Sequence, residues 1–174
     1  MYVAKFLQFN TKRYLKKNKV HRITTDFIKS NKIGIIFSAE GMQKHNAVKS
    51  LIKKLKEQGK EVTVLSYLAT GQQNHEFLFD IIGPNDINFW GLNKNDDAEK
   101  FADESFDYLL DLDITSNQVI ENILAKSKAK CRVGIYKEGK GPFFELMISP
   151  KNPESSEELI NDIYHYTKSI TVND

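Results

Sequence analysis

Two short polar segments carry the residue types best suited to chemistry. The first, Ser38-Ala39-Glu40-Gly41, directly follows the apolar run KIGIIF at 32–37. The second, Asp113-Ile114-Thr115-Ser116-Asn117, directly follows DYLLDL at 107–112. Hydroxyl, amide and carboxylate groups beside the free N–H groups of a helix start can hold an anion or a sugar. Ser38, Glu40, Asp113, Thr115, Ser116 and Asn117 are therefore the candidate ligand-binding residues. The same residue types are also ordinary helix caps, and capping is the plainer account of them.

More demanding chemistries lack their residues. Asp111 and Asp113 occupy alternate positions, so their carboxylates share a side only if the strand continues through 113. A receiver-type phosphorylation site would also need an acidic pair after the first strand, where FSAEG offers Glu40 alone. Glu40, Asp111 and Asp113 supply too few oxygens for a hard cation, so no metal site is expected from them. SAEGMQKH has one glycine where a dinucleotide-binding turn needs three, and it lacks the Gly-Lys-Ser/Thr ending of a phosphate loop. The GKG at 139–141 falls in a turn between two strands, which is the wrong context. His21, His45, His75 and His165 are dispersed, and no GxSxG element is present. The single cysteine, Cys131, excludes an internal disulfide and a Cys-rich zinc site, and reads as a small buried hydrophobe. No catalytic residue, metal or cofactor is assigned.

The elements that must position the two polar segments follow from periodicity. Residues 2–18 read as a helix, with Lys5, Lys12, Lys16 and Lys19 on one face and Val3, Leu7 and Tyr14 opposite. A short helix is expected at 24–30. Strands are expected at 32–37, 61–68, 87–90, 107–112, 131–136 and 143–148. Helices are expected at 42–58, 74–81, 94–104, 116–127 and 154–169, with Gly59 ending the first of these. Phe89 and Trp90, within the strand INFW, are expected to pack as core. The alternation predicts an α/β fold: a three-layer Rossmann-like domain with a mostly parallel sheet of five or six strands, preceded by a basic N-terminal helix. The arm spans 1–31 and the α/β domain 32–174. The expected strand order is 3-2-1-4-5, with the last strand at an edge. Reversal between the first and fourth strands opens a crevice at their carboxyl ends, floored by the two polar segments.

Composition sets the remaining bounds. The 174 residues are 40% hydrophobic and 28% charged, an ordinary balance for one domain. No run is long and apolar enough for a membrane span, and Lys5, Gln8 and Asn10 interrupt any signal-peptide core, so a cytoplasmic location is expected. The net charge of +2 conceals a split: residues 1–32 hold nine basic residues and one acid, and the remainder is net acidic. The basic surface consists of Lys5, Lys12, Arg13, Lys16, Lys17, Lys19 and Arg22. It could meet an anionic membrane surface or nucleic acid. Packing of the arm's apolar face on the α/β body is the favoured expectation. The run FFELMI would need cover at the sheet edge, from the N-terminal helix or from a second copy in a homodimer.

As a pattern, KIGIIF, EVTVLSYL, NDINFWG, FDYLLDLD, AKCRVGIY, ELMI and IYHYTKSI resemble an uncharacterised bacterial family, a domain of unknown function. That resemblance runs from about Lys32 to Ile170 and includes the basic helix. FDYLLDLD, a helix and AKCRVGIY are also distantly similar to the N-terminal Rossmann-like half of heptosyltransferase-type glycosyltransferases. This second resemblance implies a lone half-domain that keeps acceptor-side binding or serves as a scaffold. The leading functional expectation is a non-enzymatic binding or interaction module. The alternative is an enzyme acting on a sugar or phosphate ligand.

Overall fold

The computed structural model describes residues 2–69, 79–91, 93–152 and 154–172. Helix α1 (Tyr2–Lys17) comes first, followed by strand β1 (Lys32–Ser38), helix α2 (Met42–Glu57) and strand β2 (Glu61–Tyr67). Then come β3 (Asp80–Ile82), α3 (Asp96–Asp103), β4 (Tyr108–Asp111), α4 (Gln118–Lys126), β5 (Cys131–Ile135), β6 (Leu146–Ile148) and α5 (Ser156–Lys168). The six strands form one sheet in the order β3-β2-β1-β4-β5-β6, and all five pairings are parallel. The fold is the expected Rossmann-like α/β architecture.

Alternation along the strands sorts the core into two layers. Ile33, Ile35 and Phe37 of β1, with Tyr108 and Leu110 of β4, pack against Val48, Leu51 and Leu55 of α2 and Leu159 and Ile163 of α5. Cys131 belongs to this layer, and desolvation pushes its thiol up to about 11. Ile36 and Leu109 face the other way, towards Phe101 of α3, Ile120 and Ile123 of α4, and Leu7 of α1.

Three expectations are corrected. The third strand is Asp80–Ile82, not 87–90. Residues 88–91 form a turn because the Asn88 side chain accepts the Trp90 N–H at 2.9 Å and Gly91 adopts φ +66°. Phe89 and Trp90 are therefore exposed, not core. The helix expected at 24–30 is replaced by an irregular segment ending in a turn at 27–29. Here Asp26 accepts the Ile28 N–H, and buried Lys60 draws in the carbonyls of Phe27, Ile28 and Ser30 at 2.7, 3.1 and 2.6 Å. The helix expected at 74–81 lies mostly outside the described residues, and its final residues belong to β3.

α1 is built into the domain. It runs alongside α4 in the same direction, with Leu7 4% exposed. Burying a leucine contributes roughly 1.5–3 kcal/mol. The Asn122 side chain donates to Thr11 Oγ1 at 3.0 Å. Beyond the helix, Asn18 donates to the carbonyls of Ala125 and Ser127, both at 2.9 Å, and so satisfies acceptors that the end of α4 leaves open. Arg22 donates to the Ser127 carbonyl at 2.9 Å and also to that of Ala129, and this burial lowers its pKa to about 10.

The backbone of the turn at Gly91 lies close against α1. A Cβ there would lie 2.5 Å from the Leu7 backbone nitrogen, and its φ of +66° disfavours any L side chain. Gly91→Ala is expected to destabilise the fold by roughly 2–4 kcal/mol, combining left-handed backbone strain with overpacking. Urea unfolding monitored by circular dichroism checks this.

Candidate functional site

β4 ends at Asp111, paired with Ile36, and β1 runs two residues further to Ser38, so both finish at the carboxyl edge of the sheet. Because β1 leads to β2 on one side and β4 leads to β5 on the other, the loops after these strands diverge. A cleft of about 580 Å³ opens there. Ser38, Glu40, Thr115, Ser116 and Asn117 line it, so five of the six candidate residues meet at one place. The sixth, Asp113, lies behind the 114–117 loop and lines a much smaller cavity of about 20 Å³.

Asp113 organises the site from that buried position. Its Oδ1 accepts the Ser38 backbone N–H at 2.7 Å, and its Oδ2 accepts the Ser38 hydroxyl at 2.5 Å. Lys44 Nζ donates to the same carboxylate at 2.6 Å and to Glu40 Oε2 at 3.1 Å. Lys44 is 4% exposed, so its ammonium fills the space between two carboxylates, where a bound cation would otherwise have to sit. Among the described residues no group of three or more His, Cys, Asp or Glu side chains is arranged to hold a metal.

Asn117 does two jobs. Its side-chain oxygen accepts the N–H groups of Val119 and Ile120 at 2.9 and 3.4 Å, capping α4. Its Nδ2 donates to Ser38 Oγ at 3.1 Å. Capping thus accounts for Asn117, while Thr115 and Ser116 stand exposed on the rim. α2 begins differently, at Gly41 with φ +138° and no side-chain cap.

Several lining residues were not among the candidates. Val3, Ala4 and Leu7 of α1 form an apolar wall, Pro84 and Ile87 form another, and half-buried Tyr67 closes the β2 side. Desolvation raises the Tyr67 pKa. Tyr67 could have been found as the last residue of a strand beside the switch. Lys44 could have been found as the i+4 partner of Glu40. No local signal places α1 at the cleft. The basic residues Lys5, Lys12, Arg13, Lys16, Lys17 and Lys19 lie exposed, whereas Arg22 turns inward as described above.

A doubly wound, all-parallel α/β domain with a pocket at its switch point is the class that fold and site define. Within that class, the chain belongs to a family of unknown function (DUF6913), whose model matches residues 4–170. No curated protein matches the chain. No described helix is long and apolar enough to cross a membrane.

Two substitutions test the network beneath the cleft. Removing one partner of a buried ion pair leaves an uncompensated charge, so Asp113→Ala is expected to cost about 3 kcal/mol or more in urea unfolding. Asp111 behaves oppositely. It is buried and accepts the Asp113 N–H at 3.2 Å, and desolvation followed by the Asp113 carboxylate raises its pKa well above the ordinary range. Lys44 opposes this shift and Glu121 reinforces it. Below the unfolded pKa both states keep the proton and the group costs nothing. As pH rises towards the folded value, the unfolded chain ionises first and the fold loses stability. Asp111→Asn should therefore be more stable than the parent at pH 7, with the difference closing as the pH falls below the ordinary carboxylate range. Parallel urea titrations across that range check the sign.

Proposed function

We propose that this domain is a small-molecule-binding module whose ligand is a neutral, hydroxyl-rich compound of the sugar class, seated in the cleft between the β1 and β4 loops. The observation that carries this reading is the composition of the cleft. Thr115, Ser116 and Gln118 offer hydroxyl and amide groups, backed by the Ser38–Asn117 hydrogen bond and set against the apolar walls Leu7, Ile87 and Val119. Among the described lining residues there is no lysine or arginine, and the one carboxylate, Glu40, would repel a phosphate. A volume of about 580 Å³ suits a ligand of this size class.

A second reading, an enzyme acting on the same kind of ligand, is favoured by Glu40 alone. It places a carboxylate, paired with Lys44 at 3.1 Å, on the cleft wall, where it can accept a hydrogen bond from a ligand hydroxyl as a general base must.

A thermal-shift panel of neutral saccharides, sugar phosphates and inorganic phosphate tests the proposal. A neutral saccharide is expected to raise the melting temperature by a few degrees through preferential binding to the folded state. Ser116→Trp, which fills the cleft from its exposed rim, should abolish the shift. If only the phosphates stabilise, or if the filled variant responds like the parent, the reading is wrong. Turnover of the bound saccharide that is lost in Glu40→Gln, with binding retained, would establish the enzymatic reading instead.

A further inference from the structure

The side of α1 turned away from the domain carries a feature that the cleft does not use. Tyr2 and Phe9 are 67% and 66% exposed, and Phe89 and Trp90 are 58% and 59% exposed. Phe6 lies between the two pairs, its ring centre 5.4 Å from Trp90 and 5.9 Å from Phe89. A contiguous exposed apolar patch of this kind marks an interaction site more often than chance.

The rings are held in place. Asn10 Nδ2 donates to the Trp90 carbonyl at 2.8 Å, and the Asn88 side chain closes the turn. Gly91 brings that turn against the backbone of Leu7. Together α1 and the turn frame a groove of about 500 Å³, with Lys5 and Arg13 in its wall beside the rings. Lys12, Lys16 and Lys17 continue along the helix, and no acid occurs before Asp26.

We infer that this groove binds single-stranded nucleic acid. Bases stack on Phe9, Phe6 and Trp90, and backbone phosphates meet Lys5 and Arg13. Ring faces with interleaved cations are the two elements such binding needs, and neither depends on base sequence. The placement of the cations favours a nucleotide: Lys5 and Arg13 stand in the groove wall beside the rings, where one nucleotide offers the rings a π-face and the cations a phosphate. A duplex keeps its bases stacked and could reach only the charges.

The chain contains one tryptophan, and it stands in this groove, so its fluorescence reads the site directly. The full chain is titrated with oligo-dT and oligo-U of about twelve nucleotides at about 50 mM salt, and again at about 200 mM, where affinity should fall about tenfold. Saturable quenching of Trp90 is expected with at least one of them, and comparing the two separates DNA from RNA. Phe9→Ala should weaken binding of a labelled oligonucleotide about tenfold by anisotropy. Its melting temperature should stay unchanged, because that ring is mostly exposed. Lys5→Glu with Arg13→Glu should abolish binding. Three results would overturn the inference: no quenching at the lower salt; equal affinity in Phe9→Ala, which would reduce the contact to charge attraction; or binding to phosphatidylserine vesicles without binding to either oligonucleotide.

Discussion

Asp113 closes the carboxyl edge of the sheet. A parallel sheet with a switch point has a structural weakness there, because the two central loops part and leave backbone groups without ladder partners. One buried carboxylate answers this by accepting both polar hydrogens of Ser38 from the β1 loop and the ammonium of Lys44 from α2. Three elements are thereby tied at one point. Burying a charged pair is expensive, and such pairs persist where every remaining lone pair and proton finds a partner. Here Glu40 takes another ammonium hydrogen and Asn117 takes up the Ser38 oxygen, so the node extends outward into the cap of α4. The floor of the cleft is set by this node.

α1 spans the molecule from that end to the other: its first turns reach the cleft at the carboxyl edge of the sheet, and the segment after it reaches the amino edge, where β5 begins. Its buried face packs on α4, and the segment after it supplies Asn18 and Arg22 to carbonyls where α4 ends. The docked helix turns Leu7 and Thr11 inward and carries the basic charge of the N-terminal segment, together with Tyr2 and Phe9, on its outer side. Its first turns wall the cleft with Val3, Ala4 and Leu7, while Tyr2, Phe6 and Phe9 turn away towards the Trp90 turn.

The parts of this fold that were legible in the sequence are those with long, strongly patterned apolar runs. KIGIIF, DYLLDL and CRVGIY can hardly be anything but strands buried on both faces, and Val119, Ile120, Ile123 and Leu124 can only turn one way on a helix. β3 escaped because three residues give no period, and the neighbouring INFW has stronger strand composition. What defeats INFW is side-chain chemistry: Asn88 captures the Trp90 N–H, and Gly91 turns left-handed. Lys60 similarly draws in carbonyls between residues 27 and 30, a partner 30 or more residues away that no local reading of 24–30 contains. At the site, the polar loops were legible because their composition is local. The i+4 spacing of Lys44 and Glu40 was local too, but the burial of Lys44 against Asp113 and the α1 wall were not legible, since a buried lysine runs against the usual exposure of its type and docking of α1 is a tertiary event.

α1 walls the cleft on one side and frames the aromatic groove on the other, so the two surfaces share one element. Leu7 is the residue through which they meet: its side chain lines the cleft, and its backbone receives the turn that carries Trp90. Any compound that touches Val3 or Ala4 from the cleft binds only the docked position of the helix, and so does any chain that rests on Phe9 and Trp90 from outside. Ligands that prefer the same state of a shared element favour each other, and the coupling is reciprocal. Its size is bounded by the free energy of undocking α1, which rests on Leu7, the Thr11–Asn122 contact and the Asn18 hydrogen bonds. A helix held by a few such contacts, each worth about 1–3 kcal/mol, lies in the range where binding on one side can measurably stiffen the other.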